Sequence, residues 1–319
     1  MDDFYRDGNG LLYARVKWHT RKKHAFIESY LNIWVENVKH NPPTLDIFDL
    51  FASSGLCYCE ESARYGLSEP TWNGSAILAA ECLEKYPKGQ KLFLNTFHQN
   101  ANACQEQKEN LNKLLRRYSR FKPIITSLEI NDAVNAARSE LSPTYPSFWI
   151  LDPYSSSDLP WEIVKKIGQF QGEYTNKKGI VKVRKPEMII TLMTYGLQMN
   201  IDINPHIVSQ ALGMDESEWR PKYNNLMKEY HNTRKALIDL YAEKLAELYD
   251  KPPIIIEINT TEEAAIVYCL FLCTDSNAGH YLMKLKGLKD YTTWEYRWRA
   301  DAERISVEKH IPKDQTRLF

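Results

Sequence analysis

Residues 45–55 read LDIFDLFASSG, an apolar run that reaches Asp49 and then breaks into a turn of small residues. A short continuous apolar run closed by a turn fits a fully buried strand, and small residues after it let backbone N–H groups and a helix N-terminus approach a ligand closely. The stretch therefore reads as the first strand of an α/β nucleotide-binding fold, and a side chain added at Gly55 is expected to fill the ligand's approach path. A second run, Phe148-Trp149-Ile150-Leu151, closes on Asp152-Pro153-Tyr154-Ser155. Ligands of open α/β sheets bind outside the carboxyl ends of the strands, so the two acid-bearing ends should face one crevice.

Helical and strand patterns alternate on both sides of that first strand. Thr20 to about Lys39 carries Tyr30, Leu31, Trp34, Val35 and Val38 on one helical face, and Pro42-Pro43 ends it. Gly74-Ser75 opens a helix through Leu83. Lys91 to Phe97 reads as strand two, Pro123 to Leu128 as strand three, Phe148 to Leu151 as strand four and Met188 to Thr194 as strand five, with helices between. Such alternation implies a parallel sheet covered on both faces. Residues 202–221 are polar and lead into one long helical pattern from about Tyr223 to Tyr249. Pro253–Ile258 and Ala264–Cys273 read as an antiparallel hairpin that completes a seven-stranded sheet, the Rossmann-like plan of class I S-adenosylmethionine methyltransferases. The expected organisation is an N-terminal helical segment packed on the core (1–40), a methyltransferase-like core (41–200), a helical insert or lid (201–250), and a C-terminal hairpin and tail (251–319).

Composition narrows the function classes. The 319 residues balance 41 Lys plus Arg against 41 Asp plus Glu, which argues against whole-chain attraction to nucleic acid or an anionic membrane. No run reaches the roughly 18 apolar residues of a membrane span, and MDDFYRDGNG lacks the basic and apolar regions of a signal peptide, so a cytoplasmic protein is expected. The six cysteines form no metal-ligand spacing, so the expectation is buried thiols and no metal site.

Several motifs resemble those of one family, the three-Cys-motif partner proteins. They are Trp18-His19-Thr20-Arg21-Lys22-Lys23-His24, Asp49-Leu50-Phe51-Ala52-Ser53-Ser54-Gly55, Gly74-Ser75-Ala76, Asp152-Pro153-Tyr154, and Gly213 through Trp219-Arg220. The resemblance implies a class I methyltransferase-like fold and a genetic partner bearing three clustered cysteines. It also implies S-adenosylmethionine as cofactor, held by Asp49, Phe51, Ala52, Ser53, Gly55, Gly74, Ser75 and Asp132. Two departures stand out. Ser53 replaces the first family glycine, and Phe97-His98-Gln99-Asn100 ends strand two without the acid that usually holds the ribose. Neutral amides at Gln99 or Asn100 are weaker acceptors than a carboxylate, so weak cofactor binding is expected.

Each candidate keeps a plainer alternative. Asp49 either holds the cofactor's amino group or caps its own turn. Asp132 either accepts from an adenine amine or caps the following helix. Asp152-Pro153-Tyr154 resembles the turn with which amino-methyltransferases orient an exocyclic amine and stack a base, with Asp152, Pro153 and Tyr154 as catalytic candidates; otherwise it is a capped strand end. Lys22, Lys23 and His24, behind Arg21 at a helix start that disfavours cations, suggest a substrate or phosphate contact, against a solvated basic turn. Lys177, Lys178, Lys182, Arg184 and Lys185 are expected at the opposite end of the sheet. Tyr291, Trp294, Tyr296, Arg297, Trp298, Arg299 and Arg304 interleave aromatic and basic groups that could stack bases, dock a partner or pack the tail. The function read from the sequence is methyl transfer from S-adenosylmethionine to an amine of a nucleobase. The alternative is a weakly active or inactive subunit that binds nucleotides, nucleic acid or the three-cysteine partner.

Overall fold

The computed structural model describes residues 3–38, 45–62, 69–86, 90–142, 146–175, 179–259, 266–277, 279–281 and 296–299. Pro42-Pro43, Lys177, Lys178, Tyr291, Trp294 and Arg304 lie outside them. The chain opens with β1 (Phe4–Arg6), β2 (Leu12–Arg15) and helix α1 (His19–Val38). There follow β3 (Asp46–Asp49), β4 (Leu56–Tyr58), β5 (Thr71–Asn73), α2 (Ser75–Glu84), β6 (Gln90–Asn95), α3 (Ala101–Leu115), β7 (Phe121–Thr126), α4 (Ile130–Glu140), β8 (Ser147–Leu151) and α5 (Trp161–Gly168). The second half holds β9 (Gly172–Thr175), β10 (Val181–Arg184), β11 (Glu187–Leu192), α6 (Thr194–Asn200), α7 (Pro205–Leu212), α8 (Glu216–Tyr230), α9 (Thr233–Ala246), β12 (Ile254–Asn259), β13 (Ile266–Cys273) and β14 (Tyr296–Arg299).

The large sheet is mixed, in the order β14-β12-β13-β11-β8-β3-β6-β7. From β11 to β7 all neighbours are parallel, whereas β13 runs antiparallel to both β11 and β12. Every residue of β3 and β8 is buried, which explains their continuous apolar runs: a parallel strand covered on both faces has no solvent side to alternate with. Successive side chains feed two cores. Phe48 stacks on Trp149 at 4.3 Å between centroids, on the face covered by α4 to α9, while Ile47, Phe148 and Ile150 face α1, α2 and α3. Tyr30 and Trp34 of α1 pack on Phe148.

Three elements differ from the sequence reading. The long helix expected over 223–249 is two helices, because His231 adopts a left-handed conformation (φ 48°) and Asn232 caps α9 by accepting from the N–H groups of Arg234 and Lys235. A run with uninterrupted helical periodicity hides such a break, since one αL residue and one side-chain cap suffice to turn the chain. The polar stretch 202–221 holds α7 and the start of α8. A small sheet, β1-β2-β4-β5, and the hairpin of β9 and β10 were not expected, their strands being only three or four residues long. No helix among the described residues is long and apolar enough to cross a membrane, and no cluster of His, Cys, Asp or Glu among them could hold a metal ion.

Candidate functional site

Parallel pairing sets Asp49 of β3 against Ile150 of β8, so the turns that leave these two strands emerge side by side. Between them lies a cavity of about 180 Å³. Phe51, Ala52, Ser53 and Gly55 reach it from the first turn, Gly74 and Ser75 from the start of α2, Asp152, Pro153 and Tyr154 from the second turn, and Lys23 and His24 from α1. Residues 129 apart in sequence thus share one site.

Asp49 does not line this cavity. One of its oxygens accepts from the N–H of Phe51 at 3.0 Å and the other from the Ser75 hydroxyl at 2.7 Å, which ties the turn to the first residue of α2. Complete burial pushes its carboxyl up to about 7, partly offset by those two hydrogen bonds. Asp49 is a keystone of the turn. Ser53 and Gly55 bend the chain with φ of 52° and 81°. A Cβ at Gly55 would strike Leu111 Cδ2 at 2.7 Å and Ile77 Cγ1 at 3.2 Å, in the core beneath α2 and α3. The expectation that a side chain there fills the ligand's path is therefore corrected: it enters the hydrophobic core. Gly74 is held close, its N–H donating to the Gly55 carbonyl at 2.9 Å.

At the end of β8 the Asp152 carboxylate accepts from the Lys23 ammonium with both oxygens, at 2.6 and 2.5 Å. The two side chains are 9% and 10% exposed. Lys23 also lies 5.2 Å from the Tyr268 ring centroid, and Lys22, buried, lies 4.2 Å from that of Trp18. The basic cluster is thus neither a solvated turn nor an open phosphate contact, because the interior supplies a carboxylate for Lys23 and an aromatic face for each lysine. Pro153 is buried. Tyr154 is 45% exposed, yet its hydroxyl end faces Ser53 and feels Asp152, Asp49 and Cys57; burial of that end raises the phenol above its ordinary value.

His24 is fixed more tightly. Its Nδ1 accepts from the indole N–H of Trp72 at 3.0 Å, with the Cys57 thiol 3.8 Å away. An indole nitrogen only donates, so this contact sets the tautomer with the proton on Nε2. Burial and the neighbouring Lys23 push its pKa down to about 3, which keeps the ring neutral.

Other candidates lie elsewhere. Asp132 is exposed in the first turn of α4, away from the cavity, and makes no capping hydrogen bond at that helix start. Asn100 caps α3 by accepting from Asn102 and Ala103, so it is already engaged. At the end of β6, buried Asn95 accepts from Thr126 Oγ1 and the Leu128 N–H and donates to the Leu128 carbonyl, closing the loop after β7. Lys185 pairs with Asp275 at 3.0 Å, two residues before the amino end of β11 and hence at the opposite end of the sheet from the cavity. Ala14, Val16, Cys57, Met193 and Tyr268 line the cavity and Trp72 supports it without any motif to announce them; they arrive through the small sheet, the end of β11 and β13.

No family model matches the chain, and no curated protein matches its sequence. Among solved structures it is similar to the crystal structure of a protein from Legionella pneumophila strain Philadelphia 1 of family DUF519, with a TM-score of 0.52 and 13% identity over 90% of this chain and 98% of that one. At that identity the likeness speaks for the fold alone.

Proposed function

We propose that this chain is a class I methyltransferase-like protein of the three-Cys-motif partner type, which binds S-adenosylmethionine in the crevice between β3 and β8 and directs its methyl group to an amine of a nucleobase. The observation that carries the reading is the strand order. Counted along the sheet from β7 to β12, the strands follow the class I plan, with the reversed strand β13 between β11 and β12 and the turns after β3 and β8 opening on one cavity. The residues fit the cofactor in parts. Ser53, Gly55, Gly74 and Ser75 leave room for its amino-acid end, and half-buried Phe97 with exposed Leu128 offers apolar surface for a purine at the ends of β6 and β7. When bound, the cofactor supplies an electrophilic methyl group on sulfur. Asp152 and the Pro153 carbonyl would orient the acceptor amine, and the exposed ring of Tyr154 would stack on its base. A base within a duplex would first have to leave the stack.

One observation favours the second reading, a binding subunit that works with a three-cysteine partner. Lys23 already takes both oxygens of Asp152, so an acceptor amine must displace or share that pair. Calorimetric titration with S-adenosylmethionine, followed by a methyl-transfer assay on cellular RNA and DNA with and without the partner, tests both. Transfer lost in Asp152→Asn supports the enzyme; cofactor binding without transfer under any condition supports the subunit; no cofactor binding refutes the methyltransferase-like reading.

A further inference from the structure

His24 has a donor that the protein does not use. Both of its contacts fall on Nδ1, from Trp72 and Cys57, while Nε2 carries the proton and has no hydrogen-bond partner among the described residues. The residue is only 4% exposed, and its ring lines the cavity. Opening on the cavity, this N–H meets solvent rather than protein, so a ligand that enters can take it up in place of water. The charge around it specifies which kind. Lys23 and Asp152 offset one another as a pair, which leaves Arg21, acting on His24 from α1 and with no carboxylate partner among the described residues, to tip this wall of the cavity towards an anion. The space favours a small one. About 180 Å³ is below the roughly 300–1,000 Å³ of pockets that enclose whole drug-sized ligands, and it suits an amino-acid fragment.

We infer that His24 donates its Nε2–H to the carboxylate at the amino-acid end of the cofactor, an assignment that rests on the cofactor reading above. Trp72 is then a positioning residue: its indole N–H holds Nδ1 as an acceptor and so keeps the proton on the nitrogen that meets the carboxylate. Arg21 contributes field, and the neutral imidazole contributes direction.

The test compares ligands that differ only at that end. Calorimetry on the full chain measures S-adenosylhomocysteine against 5′-methylthioadenosine, which lacks the amino-acid group, in the wild type, His24→Ala, His24→Gln and Trp72→Phe. A hydrogen bond to a charged acceptor is worth about 1.5–3 kcal/mol, so His24→Ala should weaken S-adenosylhomocysteine by about tenfold to a hundredfold. Binding of 5′-methylthioadenosine should be unchanged. Gln places an N–H near the same point and should restore most of the loss, while Trp72→Phe, which frees the tautomer, should show a severalfold loss for S-adenosylhomocysteine alone. If His24→Ala does not fold, the Gln and Phe variants decide. Equal losses for both ligands, or none for either, would overturn the assignment while leaving the cofactor reading intact. A wild type that binds neither nucleoside would remove both, and L-methionine binding as tightly as S-adenosylhomocysteine would make the ligand a free amino acid.

Discussion

The Lys23–Asp152 pair should behave as one energetic unit, and a double-mutant cycle can show it. At 2.6 Å and an effective dielectric of about 20, the pair's Coulomb attraction is about 6 kcal/mol, set against a desolvation cost of several kcal/mol for each ion. The net worth of the intact pair is therefore small. Removing one partner is different, because it strands the other charge in a site where each side chain is at most 10% exposed. Asp152→Ala and Lys23→Met should each destabilise the fold by about 3–5 kcal/mol. The double replacement Lys23→Met with Asp152→Ala leaves neither charge stranded and should cost only about 1–2 kcal/mol, giving a coupling energy of at least about 4 kcal/mol. Urea denaturation followed by tryptophan fluorescence and circular dichroism measures all four corners, with unchanged m-values as the control for an unaltered unfolded state. Single losses below about 1 kcal/mol, or a double loss equal to the sum of the singles, would refute the reasoning. The cycle also bears on function: a fall in turnover in Asp152→Ala reports on an orienting role only in protein shown to be folded.

Three further outcomes follow from the site and its supports. Asp49 carries a proton up to about pH 7 in the fold but only to about 3.8 when unfolded, so the folded state binds more protons in between and stability falls as pH rises through that window, by on the order of 4 kcal/mol in all. Asp49→Asn can still accept from Phe51 and donate to the Ser75 hydroxyl, so its unfolding free energy should be flatter between pH 5 and about 7; parallel curves for variant and wild type would contradict this. Gly213→Ala would set a Cβ 2.0 Å from Trp161 Cδ1 at a φ of +64°, and Gly55→Val would drive into Leu111, so each should lower stability by about 2–5 kcal/mol in thermal unfolding. Asn232→Ala removes the cap of α9 and should cost about 1 kcal/mol; an unchanged unfolding midpoint would mean that packing alone holds the break between α8 and α9.

The local periodicities were enough to place the central strands. Short continuous apolar runs such as Phe148–Leu151, bounded by turn residues, fit strands covered on both faces, and the small residues after Asp49 mark the turn that follows the first of them. The sequence by itself therefore determined the parallel sheet, the closing hairpin and the two strand ends that meet at the cavity. It could not give the partners of Lys23, His24 or Asp49. A lysine beside a histidine reads alike whether it faces water or a carboxylate 129 residues away, and Trp72 enters the site through a three-residue strand with no periodicity to detect. Nor could it show that a side chain at Gly55 meets the core, since the direction of a Cβ at positive φ depends on how α2 and α3 close over the turn. These contacts join elements distant along the chain, and their energies come from burial and desolvation, which exist only once the sheet and helices have packed.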